Sequence, residues 1–192
     1  MSTGRLEAFS DGVIAIIITI MVLELKVPHG HDFAAIAPLL PVFLSYVLSF
    51  VYVGIYWNNH HHLFQVATRV NGSILWANLH LLFWLSLIPF VTGWMGENHF
   101  TALPTALYGL VLLMSSTAYL LLQCTIRAEQ GRDSKIAAAL GSDWKGKLSP
   151  VLYLTAIGMA FVNEKIAGAI YVAVAVTWFI PDRRLARVAE GE

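Results

Sequence analysis

Charged residues are scarce in this chain. They make up 12% of its 192 residues, against roughly 25% in an ordinary soluble domain, whereas hydrophobic residues make up 57%. Lys and Arg together number 12, as do Asp and Glu, so no basic field favours nucleic acid and no nucleic-acid partner is expected. The single cysteine, Cys124, excludes an intrachain disulfide framework. This composition indicates an integral membrane protein.

Long apolar runs separated by short polar segments divide the chain. A membrane span needs about 20 residues, so the chain has room for six spans and for no separate soluble domain. We predict an all-α membrane protein with one domain over residues 1–192. The expected helices cover residues 5–27, 33–57, 72–95, 101–125, 149–163 and 166–180, all bounds being approximate. The histidine cluster His60-His61-His62 is interpreted as a polar loop after the second helix, and no metal site is expected there.

The basic residues are distributed unevenly over the predicted loops. Six spans place both termini on the same side of the membrane. If that side is cytoplasmic, only two basic residues, Lys26 and Lys165, lie on the outer side of the membrane. The basic residues inside would be Arg5, Arg69, Arg127, Arg132, Lys135, Lys145, Lys147, Arg183, Arg184 and Arg187. This bias follows the positive-inside rule and predicts two cytoplasmic termini.

An arginine and an aspartate lie at the start of the first apolar run. The stretch Arg5-Leu6-Glu7-Ala8-Phe9-Ser10-Asp11 leads directly into residues 12–23, which carry no charge. Ionisable groups at the edge of hydrocarbon are costly unless paired, so this placement predicts a functional site. Arg5 and Asp11 do not align on one helix face, so we expect their partners on other helices. The candidate partners are Trp76, Asn78, His80 and Trp84 on the third helix, with Asn58 and His60 to His62 near the end of the second.

One side of the first helix forms an apolar stripe. Advancing 100° per residue from Ile16 brings six residues within about 60° of it: Gly12, Val13, Thr19, Ile20, Leu23 and Val27. Ordinary helix packing explains such a stripe in most proteins. Around a symmetry axis, however, it would form a narrow apolar throat with one polar ring at Thr19. Because the chain has no internal repeat, an axis would require several copies, which indicates a homo-oligomer.

The pattern Arg5-x-x-x-Phe9-Ser10-Asp11, at the start of the first of six spans, resembles the signature of the transmembrane protein 175 family of potassium channels in its single-repeat prokaryotic form. The resemblance implies a homotetramer whose first helix lines the pore. It implies a pore constriction at Ile16, Ile20 and Leu23, a pore-lining hydroxyl at Thr19, and a structural network that includes Arg5, Phe9, Ser10 and Asp11. The family lacks the Thr-Val-Gly-Tyr-Gly carbonyl filter of ordinary potassium channels, and this sequence lacks it too.

The function implied by this resemblance is a potassium-permeable cation channel in a prokaryotic plasma membrane, without enzymatic turnover. No resident cofactor or metal is expected, since K⁺ is the permeant ion, and the expected partners are further copies of the chain, the lipid bilayer and monovalent cations. Three alternatives stay open. A proton-permeable channel would use His80 or Asp11, a secondary transporter would show broken helices, and a membrane enzyme would have only the histidine group and scattered Asn and Ser as material for a site.

Overall fold

A computed structural model describes residues 2–130 and 144–179 of the chain. The regular elements there are helices. They are α1 at Thr3–Leu23, α2 at Phe33–Ile36, α3 at Leu40–Val66, α4 at Gly72–Ser86, α5 at Ile88–Glu97, α6 at Ala102–Gln130, α7 at Trp144–Ala160 and α8 at Glu164–Phe179. A 3₁₀ turn at Ala37–Leu39 joins α2 to α3. Five of the basic residues counted above, Arg132, Lys135, Arg183, Arg184 and Arg187, lie outside the described residues.

The eight helices form six successive units, as predicted. The pair α2 and α3 makes one run over Phe33–Val66, and α4 with α5 makes another over Gly72–Glu97. By length and apolar composition, α1, these two runs and α6 can each cross a membrane. The last two helices, α7 and α8, have 17 and 16 residues and are about 25 Å long. Their described parts are shorter than a hydrocarbon core of about 30 Å.

The predicted end of the second helix, at about residue 57, is nine residues too early. The helix continues from residue 57 to Val66, so the interpretation of the histidine cluster as a loop is wrong. Asparagine and histidine are poor helix formers but do not break a helix. Several of these polar side chains gain partners on other helices, as described below, and tertiary contacts of this kind readily override weak propensity.

The third predicted helix is divided at Leu87 into α4 and α5. Pro89 occupies the first turn of α5, where its missing N–H costs no intrahelical hydrogen bond. The backbone stays bonded across the junction, because the Leu87 N–H donates to the carbonyl of Trp84 at 3.2 Å and the Val91 N–H donates to that of Leu87 at 3.2 Å. The result is a one-residue break before Pro89 with no unwound segment.

Contacts between helix ends define the two ends of the bundle. At the end that carries the N-terminus, the Thr68 hydroxyl donates to Gln130 at 3.1 Å and the Asn71 amide donates to Glu129 at 2.6 Å. These bonds join the α3–α4 connection to the last turn of α6. At the opposite end, the Lys26 ammonium meets the Glu97 carboxylate at 2.7 Å and joins the segment after α1 to the end of α5. The spans therefore alternate in direction as a six-span layout requires.

A buried group of hydroxyls ties the second half of the chain to α3. The Tyr52 hydroxyl donates to the carbonyl of Tyr171 at 2.6 Å, and the Tyr171 hydroxyl donates to the carbonyl of Thr105 at 3.0 Å. The Ser49 hydroxyl lies 2.6 Å from that of Thr92. In an apolar surrounding each unpaired polar group would be costly, so these bonds fix the positions of α3, α5, α6 and α8 relative to one another.

Candidate functional site

The helix α1 has two different apolar faces. Leu6, Ser10, Ile14, Ile17 and Met21 recur every three or four residues and are all buried in contact with the rest of the bundle. On the opposite side, Ile16 is 58% exposed, Ile20 is 42% exposed and Leu23 is 79% exposed. These three belong to the stripe identified in the sequence. One side of α1 thus anchors the helix in its own subunit and leaves the stripe free to face lipid or other copies of the chain.

Thr19 is the hydroxyl residue of the exposed stripe. Its side chain is exposed, and its O–H donates to the carbonyl of Ile16 at 3.0 Å. The proton is therefore engaged by the helix itself, while the lone pairs of the oxygen remain available on the outer surface. This geometry leaves one hydroxyl oxygen accessible on the exposed stripe of each chain.

Ser10 connects α1 to two other helices through buried hydrogen bonds. Its hydroxyl donates to the carbonyl of Leu6 at 2.8 Å and accepts from the Asn78 amide at 2.9 Å. The Asn78 side-chain oxygen lies 2.8 Å from Nε2 of His60 on α3. The carbonyl of Leu6 can only accept, so the single hydroxyl proton of Ser10 is donated to Leu6 and Ser10 accepts from Asn78. The Asn78 oxygen in turn accepts from His60. This direction places a proton on Nε2 of His60.

Asp11 and Glu7 bind a second pair of side chains on α3. The indole N–H of Trp57 donates to Asp11 at 3.0 Å, and Nδ1 of His61 lies 2.5 Å from Glu7. The amide nitrogen of Gln65 lies 2.8 Å from Nε2 of His61, and an amide nitrogen can only donate a hydrogen bond. Nε2 of His61 is therefore the acceptor, and the proton of the imidazole lies on Nδ1, which donates to Glu7. The imidazole of His61 also stacks on Trp57. The acidic residues of α1 are therefore partnered.

The four motif residues do not share one environment. Ser10 and Asp11 enter the network described above, whereas Arg5 and Phe9 are exposed on the outer side of α1. Within residues 2–130 and 144–179, Arg5 makes no ion pair. Arg5 and Phe9 thus lie on the same side of α1 as the apolar stripe, where lipid or other copies of the chain would contact them.

Most of the predicted network partners are replaced by others. The Trp84 indole donates to His80 at 3.0 Å, so these two residues of α4 pair with each other, and Trp76 is 75% exposed. Asn78 and the histidine cluster were also candidates, and both contribute to the network. Trp57 was missed because a tryptophan at a predicted span end resembles an interfacial anchor. Its spacing of four residues from His61, which bonds to Glu7, places these two side chains on one helix face and is the signal that would have revealed it.

The histidine cluster shows no convergence toward a metal. His60 bonds to Asn78 and His61 bonds to Glu7, in different directions from α3. In the part of the chain that the structure describes, no group of three His, Cys, Asp or Glu side chains could hold a metal ion. His60 and His61 join α3 to α4 and to α1.

At the other end of α1, the first charged residues after the stripe are Glu24 and Lys26. Lys26 donates to Glu97, and this contact together with the nearby carboxylates raises the pKa of the lysine above its usual value. Its positive charge is therefore engaged by α5. Glu24, which follows Leu23 directly, is exposed and remains as a negative charge at this end of the stripe.

Known proteins resemble this chain over nearly its whole length. Residues 5–89, which include the motif and its partners on α3 and α4, match the family described as endosomal/lysosomal potassium channel TMEM175. A potassium channel of Chryseobacterium sp. (strain P1-3) is 56% identical over 96% of both chains. A potassium channel of Streptomyces collinus is 32% identical over 84% of both chains.

A solved structure has the same fold. The crystal structure of a lysosomal potassium-selective channel TMEM175 homolog from Chamaesiphon minutus superposes with a TM-score of 0.82 at 26% identity, and the match covers 94% of this chain and 97% of that one. The match extends through α7 and α8, beyond the region covered by the family model. These similarities agree with the six-unit fold and with the position of the motif on α1. The chain is therefore a multi-pass membrane protein that belongs to the TMEM175 family of ion channels, and it is not an enzyme.

Proposed function

We propose that this chain is a subunit of a potassium-permeable cation channel whose pore is lined by α1. The observation that carries the proposal is the outward-facing stripe of α1. Ile16, Ile20 and Leu23 are exposed on a helix that is otherwise held in its bundle by Ile14, Ile17 and Met21 on its other side. The two bacterial relatives described above are named potassium channels, and their similarity to this chain extends over most of their length.

One chain supplies only one wall of a pathway, because the stripe on α1 is exposed in the single subunit. The proposal therefore includes a homotetramer, in which four copies enclose the pathway. Four copies of α1 around an axis would bring the stripes together and close a throat of aliphatic side chains, with Thr19 as its only hydroxyl ring. Such a throat conducts only while it stays wetted, and it offers few fixed oxygens to replace an ion's hydration shell. We therefore expect a preference for K⁺ over Na⁺ that is modest and depends on Thr19.

The proposed orientation places the N-terminus and the motif at the cytoplasmic face of a prokaryotic plasma membrane. Arg69, Arg127, Lys145 and Lys147 lie in connections or helix ends on the motif side of the bundle, and Lys26 and Lys165 lie on the other side. The network of Ser10 and Asp11 with α3 and α4 would then hold the cytoplasmic half of the pore helix. In this arrangement a conformational change of α3 would be transmitted directly to α1.

A secondary transporter fits the geometry less well. Transporters of that class bind ions at helices whose backbone is unwound within the membrane. The break between α4 and α5 is a single residue, Leu87, whose N–H and carbonyl are both hydrogen-bonded, so the junction contains no unwound segment of the kind such transporters use.

The constriction is tested by a matched pair of substitutions on α1. Ile16→Asn is expected to wet the throat, to raise single-channel conductance several-fold and to reduce the K⁺ over Na⁺ preference. Val22→Asn is the control, since Val22 is 46% exposed but lies about 120° around the helix from Ile16. Equal conductance changes in the two variants, or none in Ile16→Asn, would remove Ile16 from the permeation path.

A further inference from the structure

The exposed stripe of α1 continues to the motif end of the helix. At 100° per residue, Arg5 lies within about 20° of Ile16 on the helix surface. The stripe residues between and beyond these two recur with alternating spacings of four and three, and all are exposed: Arg5, Phe9, Gly12, Ile16, Thr19 and Leu23. A spacing that averages 3.5 residues keeps such a line at the seam between packed helices. Arg5 therefore has the same orientation on α1 as the residues proposed to line the pathway.

The charges at the motif end of α1 are separated by sign. Glu7 and Asp11 lie about 180° and 140° around the helix from the centre of the stripe. Both carboxylates bond to α3, Glu7 to His61 and Asp11 to Trp57. Arg5 lies on the other side of α1, where its side chain is exposed. The packing of α3 thus draws the two carboxylates away from the stripe and leaves the guanidinium beside it.

The opposite end of the stripe carries the opposite charge. Glu24, the first charged residue after Leu23, is exposed. Its carboxylate lies beside α5, since a Cβ at Gly93 would be 3.9 Å from Oε2 of Glu24. The ammonium of Lys26 is bonded to Glu97. Each copy of α1 therefore presents a positive charge at the motif end of its stripe and a negative charge near the other end.

We propose that Arg5 determines specificity at the mouth of the pathway. The guanidinium groups of four copies form a ring of positive charge there, which limits the entry of cations from the motif side and excludes divalent cations more strongly than K⁺. This inference rests on the proposed function, in which four copies of α1 surround an axis. The ring is permanent, because an arginine keeps its charge at every physiological pH.

The size of the effect follows from the screened repulsion of the ring. Four unit charges within about one Debye length of the axis lower the local concentration of a monovalent cation about three- to five-fold at 0.1 M salt. The repulsion is proportional to the charge of the ion. A divalent cation is therefore depleted by the square of that factor, about ten- to twenty-five-fold.

Rectification of single channels in planar bilayers, with equal KCl on both sides, measures the ring. At about 0.1 M KCl, the current carried by K⁺ from the motif side should be about three-fold smaller than the current in the opposite direction. At about 1 M KCl, where the Debye length is about 3 Å, the two currents should be nearly equal. Arg5→Gln should make the currents equal at both concentrations, whereas Arg5→Lys, which keeps the charge, should rectify as the unsubstituted chain does.

A matched control separates the ring from the general charge of this end of the bundle. Arg69 is also an exposed arginine at the motif end, but it lies in the connection between α3 and α4 and not on α1. Arg69→Gln removes the same charge and should leave the rectification unchanged.

Charge restored by chemical modification identifies the side and the sign. In a Cys124→Ser background, Arg5→Cys is treated with membrane-impermeant methanethiosulfonate reagents, which transfer a charged alkylthio group to the cysteine thiolate. A trimethylammonium reagent should restore the rectification and a sulfonate reagent should invert it. Each should act from one side of the bilayer only, which marks the motif side. The same treatment of Arg69→Cys should change neither current.

Mg²⁺ tests the stronger exclusion of divalent cations. At low salt, Mg²⁺ added on the motif side should block Arg5→Gln at a concentration about ten-fold lower than the one that blocks the unsubstituted chain. Added on the other side, it should block both equally. Equal block from the motif side would overturn the role of Arg5 in excluding divalent cations.

The outcomes separate this inference from the proposed function. Symmetric K⁺ currents in the unsubstituted chain at 0.1 M, or rectification that persists in Arg5→Gln, would overturn the ring and leave the channel standing. Rectification lost equally in Arg5→Lys and Arg5→Gln would overturn the ring in favour of a structural contact made by the guanidinium. A chain that passes no K⁺ under any of these conditions would contradict the proposed function, and the ring with it.

Discussion

The hydrogen-bond chain from His60 through Asn78 to Ser10 predicts a strong and non-additive effect of one substitution. Asn78→Leu keeps approximately the size of the side chain but removes both polar atoms that join α3, α4 and α1. His60, Asn78 and Ser10 are all 0% exposed, so water cannot replace the lost partners. Ser10 is affected least, because it still donates to the carbonyl of Leu6.

The magnitude follows from counting what is left without a partner. Nε2–H of His60 loses its acceptor, which costs about 1 to 3 kcal/mol for a buried donor, and the bond from Asn78 to Ser10 contributes about 1 kcal/mol. Asn78→Leu should therefore lower the free energy of unfolding by about 2 to 4 kcal/mol. His60→Phe alone leaves the Asn78 oxygen unpaired and should cost a similar amount. When both substitutions are present, no buried donor is left without an acceptor. The double variant should therefore lose at least about 1 kcal/mol less free energy of unfolding than the sum of the two single losses.

Unfolding by SDS in mixed micelles, followed by tryptophan fluorescence, measures these differences. Asn98→Leu is the control, since the Asn98 amide donates to the carbonyl of Trp94 at an exposed helix end and its loss should cost less than about 0.5 kcal/mol. Strict additivity of the two substitutions, or a cost of Asn78→Leu no larger than that of the control, would refute the hydrogen-bond chain.

Three further changes give distinct results in the same assay. Trp57→Phe removes the donor to the motif aspartate and should cost about 1 kcal/mol and reduce K⁺ flux; full flux at unchanged stability would contradict the contact. Gly109→Ala places a methyl group against the Tyr171 hydroxyl and the Ile157 side chain, which must both shift, and should cost about 1 to 3 kcal/mol or more, whereas Gly158→Ala has open space and should be neutral or slightly stabilising. Lys26 has a raised pKa, so any stability from its ion pair is present below the lysine's ordinary pKa and lost only as pH rises through the raised value. Lys26→Met should thus leave the stability profile between about pH 5 and 9 unchanged in shape, and a new dependence within that range would contradict this pairing.

The outline of the fold could be predicted from the sequence because membrane spans depend on length and apolarity alone. The helix starts at residues 33 and 72 and the break before Pro89 follow from local composition. The end of α3 could not be predicted in that way. Polar residues after Trp57 would normally mark a loop, and they remain helical because Glu7 and Asn78, distant in sequence, supply partners for them.

The candidate site was predictable in part for a similar reason. The stripe on α1 follows from helical periodicity, and its exposure in the subunit agrees with that expectation. Its role as a constriction remains a prediction. The partners of Asp11 and Ser10 depend on how three helices approach one another, and periodicity within one helix carries no such information. A mid-span histidine and two tryptophans therefore looked as suitable as Asn78 until the packing was known, and Trp57 was not a candidate.

The reversal potential of the purified protein in planar bilayers tests the central claim most directly. It is measured at constant pH under a K⁺ gradient and then with Na⁺ replacing K⁺ on one side. A potassium-permeable channel predicts a reversal potential that moves toward the K⁺ equilibrium potential, with a shift that Ile16→Asn reduces and Val22→Asn does not. A reversal potential that follows a pH gradient and ignores K⁺, or the absence of current, would contradict the account.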